Sequence, residues 1–232
     1  MKKTILMVFV TATMTAQAED VFSAMFESTA SNMQNTAMTT AISGAVQTTA
    51  DKAKPVAKSA LLTFKPNPKT TAALQDQIFK ALLEKAPGKH NEIKNMLKQA
   101  DVVNNMRKAV KDLGYDPNEL AVSLTLWVNT SFGQLEDRDT TEAENDAVLK
   151  QFRSAVDRAA ALKKLSNEDR QKTSELLMYM TFFQMVDHMA AQQNKTGYDM
   201  EAVKGYIAEN LKRFDLDPET FTITDSGITR KD

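Results

Sequence analysis

The sequence predicts an all-α protein: a single bundle of about six or seven helices with a short extended C-terminal segment and a mobile N-terminal segment. Two observations predict this class. The chain of 232 residues has only 7 glycines, too few for an all-β fold with many tight turns. Between residues 69 and 214, apolar side chains recur at helical spacing in one segment after another, and helix stops such as Ala86-Pro87-Gly88 and Gly114 separate these segments.

The helical segments follow one another with short connections. Apolar spacing, N-caps and helix stops predict helices at about 69–85, 91–99, 101–113, 116–133, 142–164, 166–193 and 200–213. Ser166 and Asp169 have the spacing of a capping box at the start of the sixth helix. That helix is apolar on almost all sides from Leu176 to Val186, so we expect it at the centre of the bundle. We expect Trp127, the single tryptophan, in the core.

The C-terminal part is predicted to be extended. Phe221-Thr222-Ile223-Thr224 alternates apolar and polar residues, as a short strand does. The sequence shows no obvious partner strand, so we expect an extended segment that packs on the domain. The helical domain is predicted to span residues 64–228, and residues 229–232 are predicted to be a disordered tail.

Residues 1–18 have the pattern of a secretory signal peptide. Lys2 and Lys3 form a positive start, an apolar stretch of about 13 residues follows, and Ala16-Gln17-Ala18 supplies the small residues of a cleavage site. The stretch is shorter than the roughly 20 residues that span a bilayer. We therefore expect export to a periplasmic or secreted location and no membrane span after cleavage. Cleavage removes two of the 29 basic residues and no acidic residue, which leaves 27 against 30.

Residues 19–63 differ in composition from the rest of the chain. They are rich in Ser, Thr, Ala, Met, Asn and Gln and carry few large apolar side chains. Such a segment buries too little apolar surface to offset the entropy of ordering, so we expect it to be mobile or partly helical. Phe22, Met25 and Phe26 could form one apolar turn of helix. We favour a spacer, and the alternative is that these residues, with Ile42, dock on the domain or on a partner.

Composition excludes several kinds of chemistry. The chain has no cysteine, which excludes disulfides, thiolate metal sites and cysteine nucleophiles. Only His90 and His188 are available, and a multi-His zinc site would need both. The formal net charge of -1 provides no basic excess for nucleic acid. We expect no cofactor and no nucleic-acid partner, and the sequence leaves the protein partner and the oligomeric state open.

Several segments resemble a known family. In chain order they are Phe64-Lys65-Pro66, the Gly114-Tyr115 turn, the helix with Trp127-Val128, the helix start Leu165-Ser166-Asn167-Glu168-Asp169-Arg170-Gln171, and the closing Phe221-Thr222-Ile223-Thr224-Asp225-Ser226-Gly227. Together they resemble an uncharacterised family of secreted bacterial all-helical proteins, a domain of unknown function, over residues 64–228. The resemblance implies a helical fold and an exported location. It carries over no catalytic residues.

His188 is the candidate functional residue, with Asp187 beside it and Gln184 one turn earlier on the helix predicted to be buried. A histidine that acts as a general base needs a carboxylate to orient it. Neighbouring residues on a helix point about 100° apart, so Asp187 is poorly placed to orient His188. The alternative, which we favour, is a histidine at the helix end on the exposed edge of the bundle. We assign no catalytic, cofactor-binding or metal-binding residues.

Three functional hypotheses follow from the sequence. The first is a non-enzymatic envelope or secreted protein that acts through protein–protein contact, with Phe22, Met25 and Phe26 as docking residues. The second is a periplasmic binding module for an apolar small molecule between helices, where Tyr179, Phe182 and Phe183 could form the walls. The third is an enzyme with His188 as general base. No catalytic motif such as GxSxG or HExxH occurs, which favours the non-enzymatic hypotheses.

Overall fold

A computed structural model describes residues 32–47, 62–155 and 164–231 of the chain. The elements in these ranges are α1 (Asn32–Val46), α2 (Pro68–Lys85), α3 (His90–Ala100), α4 (Val102–Asp112), α5 (Leu120–Leu135), α6 (Glu142–Ala155), α7 (Asn167–Gln192), α8 (Met200–Arg213), β1 (Phe221–Thr224) and β2 (Gly227–Arg230). The predicted all-α class is confirmed, and seven of the described helices lie between residues 68 and 213.

The centre of the bundle is the pair formed by α5 and α7. Both helices are buried on nearly all sides, as the apolar run in α7 predicted. They approach closely where Ser123 and Ser174 meet, with the two hydroxyl oxygens 2.6 Å apart. Trp127 of α5 is fully buried, and its ring packs edge-on against Phe214 with the ring centroids 5.4 Å apart. Among the described helices, none is both long and apolar enough to span a membrane.

The other helices surround this pair in two groups. On one side, α2 and α4 both pack on α7, and α3 packs on α2. On the other, α6 packs on α5, and α1 and the two strands pack on α6. Helix α8 packs on both α5 and α7. The central pair therefore holds together two groups of elements that have few contacts with each other.

The start of α7 confirms the predicted capping box. The Ser166 hydroxyl accepts a hydrogen bond from the Asp169 backbone N–H, and the Asp169 carboxylate accepts one from the Ser166 backbone N–H. The start of α5 differs from its prediction, because the helix begins at Leu120 and not at Pro117. The Leu120 N–H donates to the Leu62 carbonyl, and the Phe64 N–H donates to the Asn118 carbonyl. This pairing keeps residues 117–119 out of the helix.

Helix α1 lies within the segment that we predicted to be mobile or partly helical. Its Met38, Ala41, Ile42 and Ala45 side chains are buried, and the helix packs on α6. A methyl group added at Gly44 would lie 3.1 Å from the Cβ atom of Ala155, which shows how closely the two helices approach. Small side chains thus give α1 a packed face without many large apolar residues. Phe22, Met25 and Phe26 lie outside the described residues.

The C-terminal segment forms a β-hairpin. We expected no partner strand for residues 221–224, but β1 pairs antiparallel with β2, which includes Thr229 and Arg230 of the predicted tail. The Gln151 side-chain amide of α6 completes the hairpin, because it accepts from the Ile228 N–H at 2.7 Å and donates to the Ile228 carbonyl at 3.2 Å. Gly227 has φ +90°, and a Cβ atom there would collide with the Gln151 side-chain amide, so the turn requires glycine.

Two arginines bind carboxylates at the connections around α6. Arg153 donates from Nε and Nη2 to the two oxygens of Glu119, both at 2.8 Å, and the Glu119 side chain is fully buried. Arg138 binds Glu136 and Glu144, and it also donates to the Ile223 carbonyl of β1. Hydrogen bonds from Arg138 lower the pKa of Glu144. Arg138 thus fixes the loop before α6 to the hairpin, and Arg153 fixes α6 to the residue before α5.

Candidate functional site

A cleft of about 350 Å³ opens between α2 and α4, above α7. Its walls come from the segment before α2, the first turns of α2, the N-terminal half of α4, and one residue of α7. The lining residues are Pro66, Pro68, Thr71, Ala72, Gln75, Asp101, Val103, Asn104, Arg107 and Tyr179. Six of the ten lining residues carry polar or charged side chains and four are apolar, so the lining is mixed, unlike the apolar core.

Two side-chain amides of α7 position the segment that enters the cleft wall. Asn167 accepts from the Lys65 N–H at 2.7 Å and donates to the Lys65 carbonyl at 2.9 Å. One turn later, Gln171 makes the same two bonds with Asn67, both at 2.9 Å. The backbone of this segment is therefore hydrogen-bonded to α7 side chains at two alternate residues, Lys65 and Asn67. This pairing fixes Pro66 and Pro68 at the rim of the cleft.

Glu175 lies below the cleft and has no exposed surface. Its Oε1 atom accepts hydrogen bonds from Thr71, Gln171 and Arg107, at 2.8, 2.9 and 2.7 Å. Its Oε2 atom has no partner among the described residues. Burial raises the pKa of Glu175, and the hydrogen bonds and the charge of Arg107 offset only part of this effect. The carboxylate is thus a buried group with half of its bonding capacity unused.

Arg107 joins Glu175 to the cleft. Its Nη2 atom donates to Glu175, while its Nε atom is buried without a partner among the described residues. An arginine can donate to a carboxylate from two nitrogens at once, and here only one of them does so. The guanidinium also lines the cleft.

Tyr179 forms the floor, one helical turn after Glu175, and is 2% exposed. Burial raises its pKa, and the negative charges of Glu175 and Asp101 raise it further. The phenol therefore stays protonated over the physiological range and can donate a hydrogen bond.

Asp101 forms the far wall between α3 and α4. Its backbone is left-handed, with φ 38° and ψ 49°, which is unusual for a residue other than glycine. The Asn104 side-chain amide donates to both carboxylate oxygens of Asp101, at 2.9 and 3.1 Å. Asp101 occupies the position before α4, but its side chain makes no cap hydrogen bond and is held against Asn104 beside the cleft.

The candidate site residues predicted from the sequence, Gln184, Asp187 and His188, lie farther along α7 than the cleft. They do not converge on one point. Gln184 donates to Gln134 at 2.7 Å and to the Ser131 hydroxyl at 3.1 Å. The charge of Asp187 raises the pKa of Tyr198, and Asp187 is not among the groups that shift the pKa of His188. The structure therefore places Asp187 beside α7's C-terminal connection and does not make it the orienting carboxylate of His188.

His188 is buried, 6% exposed, so the expected position on the exposed edge of the bundle is wrong. Its Nε2 atom is 4.0 Å from Asp137 Oδ1 and has no hydrogen-bond partner among the described residues. Lys204 binds the other oxygen of Asp137 at 2.6 Å. Burial lowers the pKa of His188, and the nearby Lys204 charge acts in the same direction. The ring is a neutral, enclosed group with little access for a substrate.

Sequence reasoning missed the cleft because its residues are spread over three helices. One signal was present: Glu175 directly precedes the apolar run in a helix predicted to be buried all round. A carboxylate in such a helix requires partners from other elements. Among the described residues, no group of three or more His, Asp or Glu side chains is placed to hold a metal ion.

A helical bundle with a polar cleft on its central helix is the class of protein that the fold and site define. The chain matches the model described as "Family of unknown function (DUF6683)" over residues 5–230, and it belongs to that family. The predicted resemblance to a domain-of-unknown-function family is thereby confirmed, over a longer range than residues 64–228. No curated protein and no solved structure matches the chain.

The raised pKa of Glu175 predicts a pH-dependent stability difference. Below about pH 4.3 the carboxyl is protonated in both states; as pH rises, the unfolded chain releases the proton first and the folded chain loses stability. Glu175→Gln cannot ionise. The free energy of unfolding of Glu175→Gln, minus that of the wild type, should therefore increase with pH and then level off. Urea denaturation between pH 4 and 8 measures it.

Glu168→Gln, at an exposed position of the same helix, is the matched control. If the difference in the free energy of unfolding between Glu175→Gln and the wild type is independent of pH, burial does not raise the pKa of Glu175.

The lowered pKa of His188 has the opposite consequence. As pH falls below about 6.5, the unfolded chain binds a proton that the folded chain does not, so stability declines, by at most about 1.4 kcal/mol per pH unit. His188→Gln should remove this decline. Thermal unfolding between pH 5 and 8 compares it with the wild type and with the exposed-site control His90→Gln. Parallel curves for His188→Gln and the wild type would contradict the assignment.

Proposed function

We propose that this chain is an exported, non-enzymatic binding domain whose cleft between α2 and α4 takes a small polar ligand. The observation that carries the proposal is the cleft of about 350 Å³ itself, in which Asp101, Arg107 and Tyr179 line one opening. Donors and acceptors that share one opening can hydrogen-bond a small polar ligand.

The walls support a polar ligand in preference to the apolar one that the sequence suggested. Of the three aromatic residues considered for an apolar cavity, only Tyr179 lines the cleft. Phe183 stacks near Tyr179 with the ring centroids 6.3 Å apart, and Phe182 packs edge-on against Phe183. These rings pack on one another, and the cleft itself presents Asp101, Arg107 and other hydrogen-bonding side chains.

Export is supported by the leader pattern of residues 1–18 described above. A binding domain outside the cytoplasm meets solutes directly, which is compatible with an open cleft. Full-length chain expressed in bacterial cells should be recovered from the periplasm or medium with Glu19 as its first residue, by intact-mass spectrometry. Recovery of uncleaved chain from the cytoplasm alone would contradict export.

The same mature protein provides the test of the cleft. Thermal unfolding with separate pools of monosaccharides, amino acids, dicarboxylates, nucleosides and polyamines should show stabilisation by one pool. A ligand at about 100 times its Kd should raise the Tm by roughly 5–10 °C. Ala72→Trp fills the cleft from an exposed wall position and should abolish the shift. Ala73→Trp, on the next exposed position outside the lining, should retain it.

If no pool changes the Tm, the proposed function is wrong. It is also wrong if Ala72→Trp and Ala73→Trp retain the same shift, because the ligand then binds elsewhere.

Protein–protein contact through Phe22, Met25 and Phe26 is the second candidate function. One observation favours it: the segment that carries these residues leads directly into α1, whose buried Ile42 fixes that helix on the domain. A partner bound to these residues would thus be held close to the domain.

Crosslinked pull-down of the mature chain tests this second candidate. Phe22→Ser combined with Phe26→Ser should abolish recovery of the partner, since the apolar turn is removed. Ala24→Ser combined with Ala30→Ser is the matched control and should leave recovery unchanged. Equal recovery with both double variants would contradict docking through these residues.

A further inference from the structure

We infer that the cleft binds a free α-amino acid, whose carboxylate lies against Arg107 and Tyr179 and whose ammonium group lies against Asp101. This inference rests on the proposed binding function and specifies its ligand. It is carried by an unpartnered hydroxyl that is accessible from the cleft, by a second accessible donor at the same opening, and by a carboxylate on the far wall.

The hydroxyl of Tyr179 has no hydrogen-bond partner among the described residues. The side chain lines the cleft and is 2% exposed. Unlike Arg107 Nε and Glu175 Oε2, its hydroxyl is not one of the polar atoms that are both unpartnered and fully enclosed. The small exposed part of this residue therefore includes the hydroxyl oxygen. A tyrosine hydroxyl in a buried side chain normally has a partner, and here a bound group can supply one.

Arg107 supplies a second donor at the same opening. Its side chain is 19% exposed and lines the cleft, and its Nη2 atom is bonded to Glu175. Its Nη1 atom has no hydrogen bond within the described part of the chain, and unlike Nε it is not enclosed. A guanidinium N–H and a phenol O–H at one opening can donate to the two oxygens of one carboxylate. The bond to Glu175 holds the guanidinium in place, so less ordering is needed when a ligand binds.

Asp101 supplies the acceptor on the far wall. The residue is exposed, and each of its carboxylate oxygens accepts one hydrogen bond from Asn104, which leaves a lone pair on each for an ammonium group. Asp101 directly precedes α4, and Arg107 is six residues later, about 9 Å along the helix axis. The charged groups of an α-amino acid are joined through one carbon, so with a hydrogen bond at each end the ligand spans roughly 8–9 Å.

A zwitterion fits these groups better than a ligand with charges of one sign. A dicarboxylate that binds Arg107 would also face the carboxylate of Asp101, and a polyamine that binds Asp101 would also face the guanidinium of Arg107. Such like-charge contacts disfavour both classes. An α-amino acid places unlike charges together at both ends, and hydrogen bonds between charged groups are the stronger ones.

The size and the remaining walls of the cleft suit an amino acid. A volume of about 350 Å³ corresponds to roughly a dozen water molecules at the liquid volume, which is enough for an amino acid of about ten non-hydrogen atoms. Pro68, Ala72 and Val103 provide apolar surface for the side chain of the ligand.

Titration calorimetry of the mature chain tests the inference with free L-alanine, L-serine, L-valine, L-leucine and L-glutamine. At least one of them should bind. Its N-acetyl form lacks the ammonium group and its carboxamide form lacks the carboxylate, so each should bind about tenfold more weakly or worse. Glucose, succinate, putrescine and adenosine represent the other solute pools and should bind more weakly than the best amino acid.

Two variants locate the bound amino acid. Tyr179→Phe removes only the accessible hydroxyl, and Asp101→Asn removes the charge but keeps a residue type that tolerates the left-handed backbone. Each should weaken binding about tenfold or more. Tyr206→Phe and Asp112→Asn make the same changes outside the cleft and should leave binding unchanged. The comparison of amino acid analogues needs no variant, so it decides the question even where a substitution disturbs folding.

Equal binding of an amino acid and its N-acetyl or carboxamide form overturns the inference, and so does full affinity in folded Tyr179→Phe or Asp101→Asn. Binding of glucose, succinate, putrescine or adenosine in preference to every amino acid also overturns it and leaves the proposed function standing. Failure of all solutes to bind overturns both.

Discussion

The burial of α7 is the constraint on which the rest of the structure depends. A helix enclosed on nearly all sides cannot leave its polar side chains to solvent, so each must find a partner on a neighbouring element. Asn167 and Gln171 bind the backbone of the segment before α2, Ser174 meets α5, Glu175 binds α2 and α4, and Gln184 binds the end of α5. The polar residues of one helix thus determine where its neighbours lie.

Most of these contacts are complete, and Glu175 is the exception. Apolar packing alone is non-directional and would allow neighbours to slide, whereas hydrogen bonds from fixed side chains specify one arrangement. A buried ion pair contributes little net stability by itself, so the pairing of Glu175 with Arg107 is better explained by position or binding than by stability. Removing either partner would leave the other charge buried and uncompensated. The pair therefore costs desolvation free energy, and it also fixes the positions of both side chains beside the cleft.

The sequence predicted the parts of the fold that depend on local chemistry. The capping box of Ser166 and Asp169 uses residues three apart, and the buried character of α7 follows from composition alone. The features it missed depend on contacts between distant residues. Helix α5 starts at Leu120 because residues 62–64 pair with residues 118–120. The hairpin depends on Gln151, 77 residues from Ile228. The cleft needed α2, α4 and α7 placed side by side, and only Glu175 in the apolar helix signalled it.

The length of α7 also separates the two unusual groups that it carries. Glu175 and His188 are 13 positions apart, roughly 20 Å along a helix axis. Each is a buried titratable side chain with an atom that lacks a partner among the described residues, but their surroundings differ. Glu175 is bonded to Arg107, whose guanidinium lines the cleft. His188 is enclosed beside Asp137 and Lys204, and its burial disfavours the protonated ring. Neither group is among those that shift the pKa of the other, so the two titrate independently.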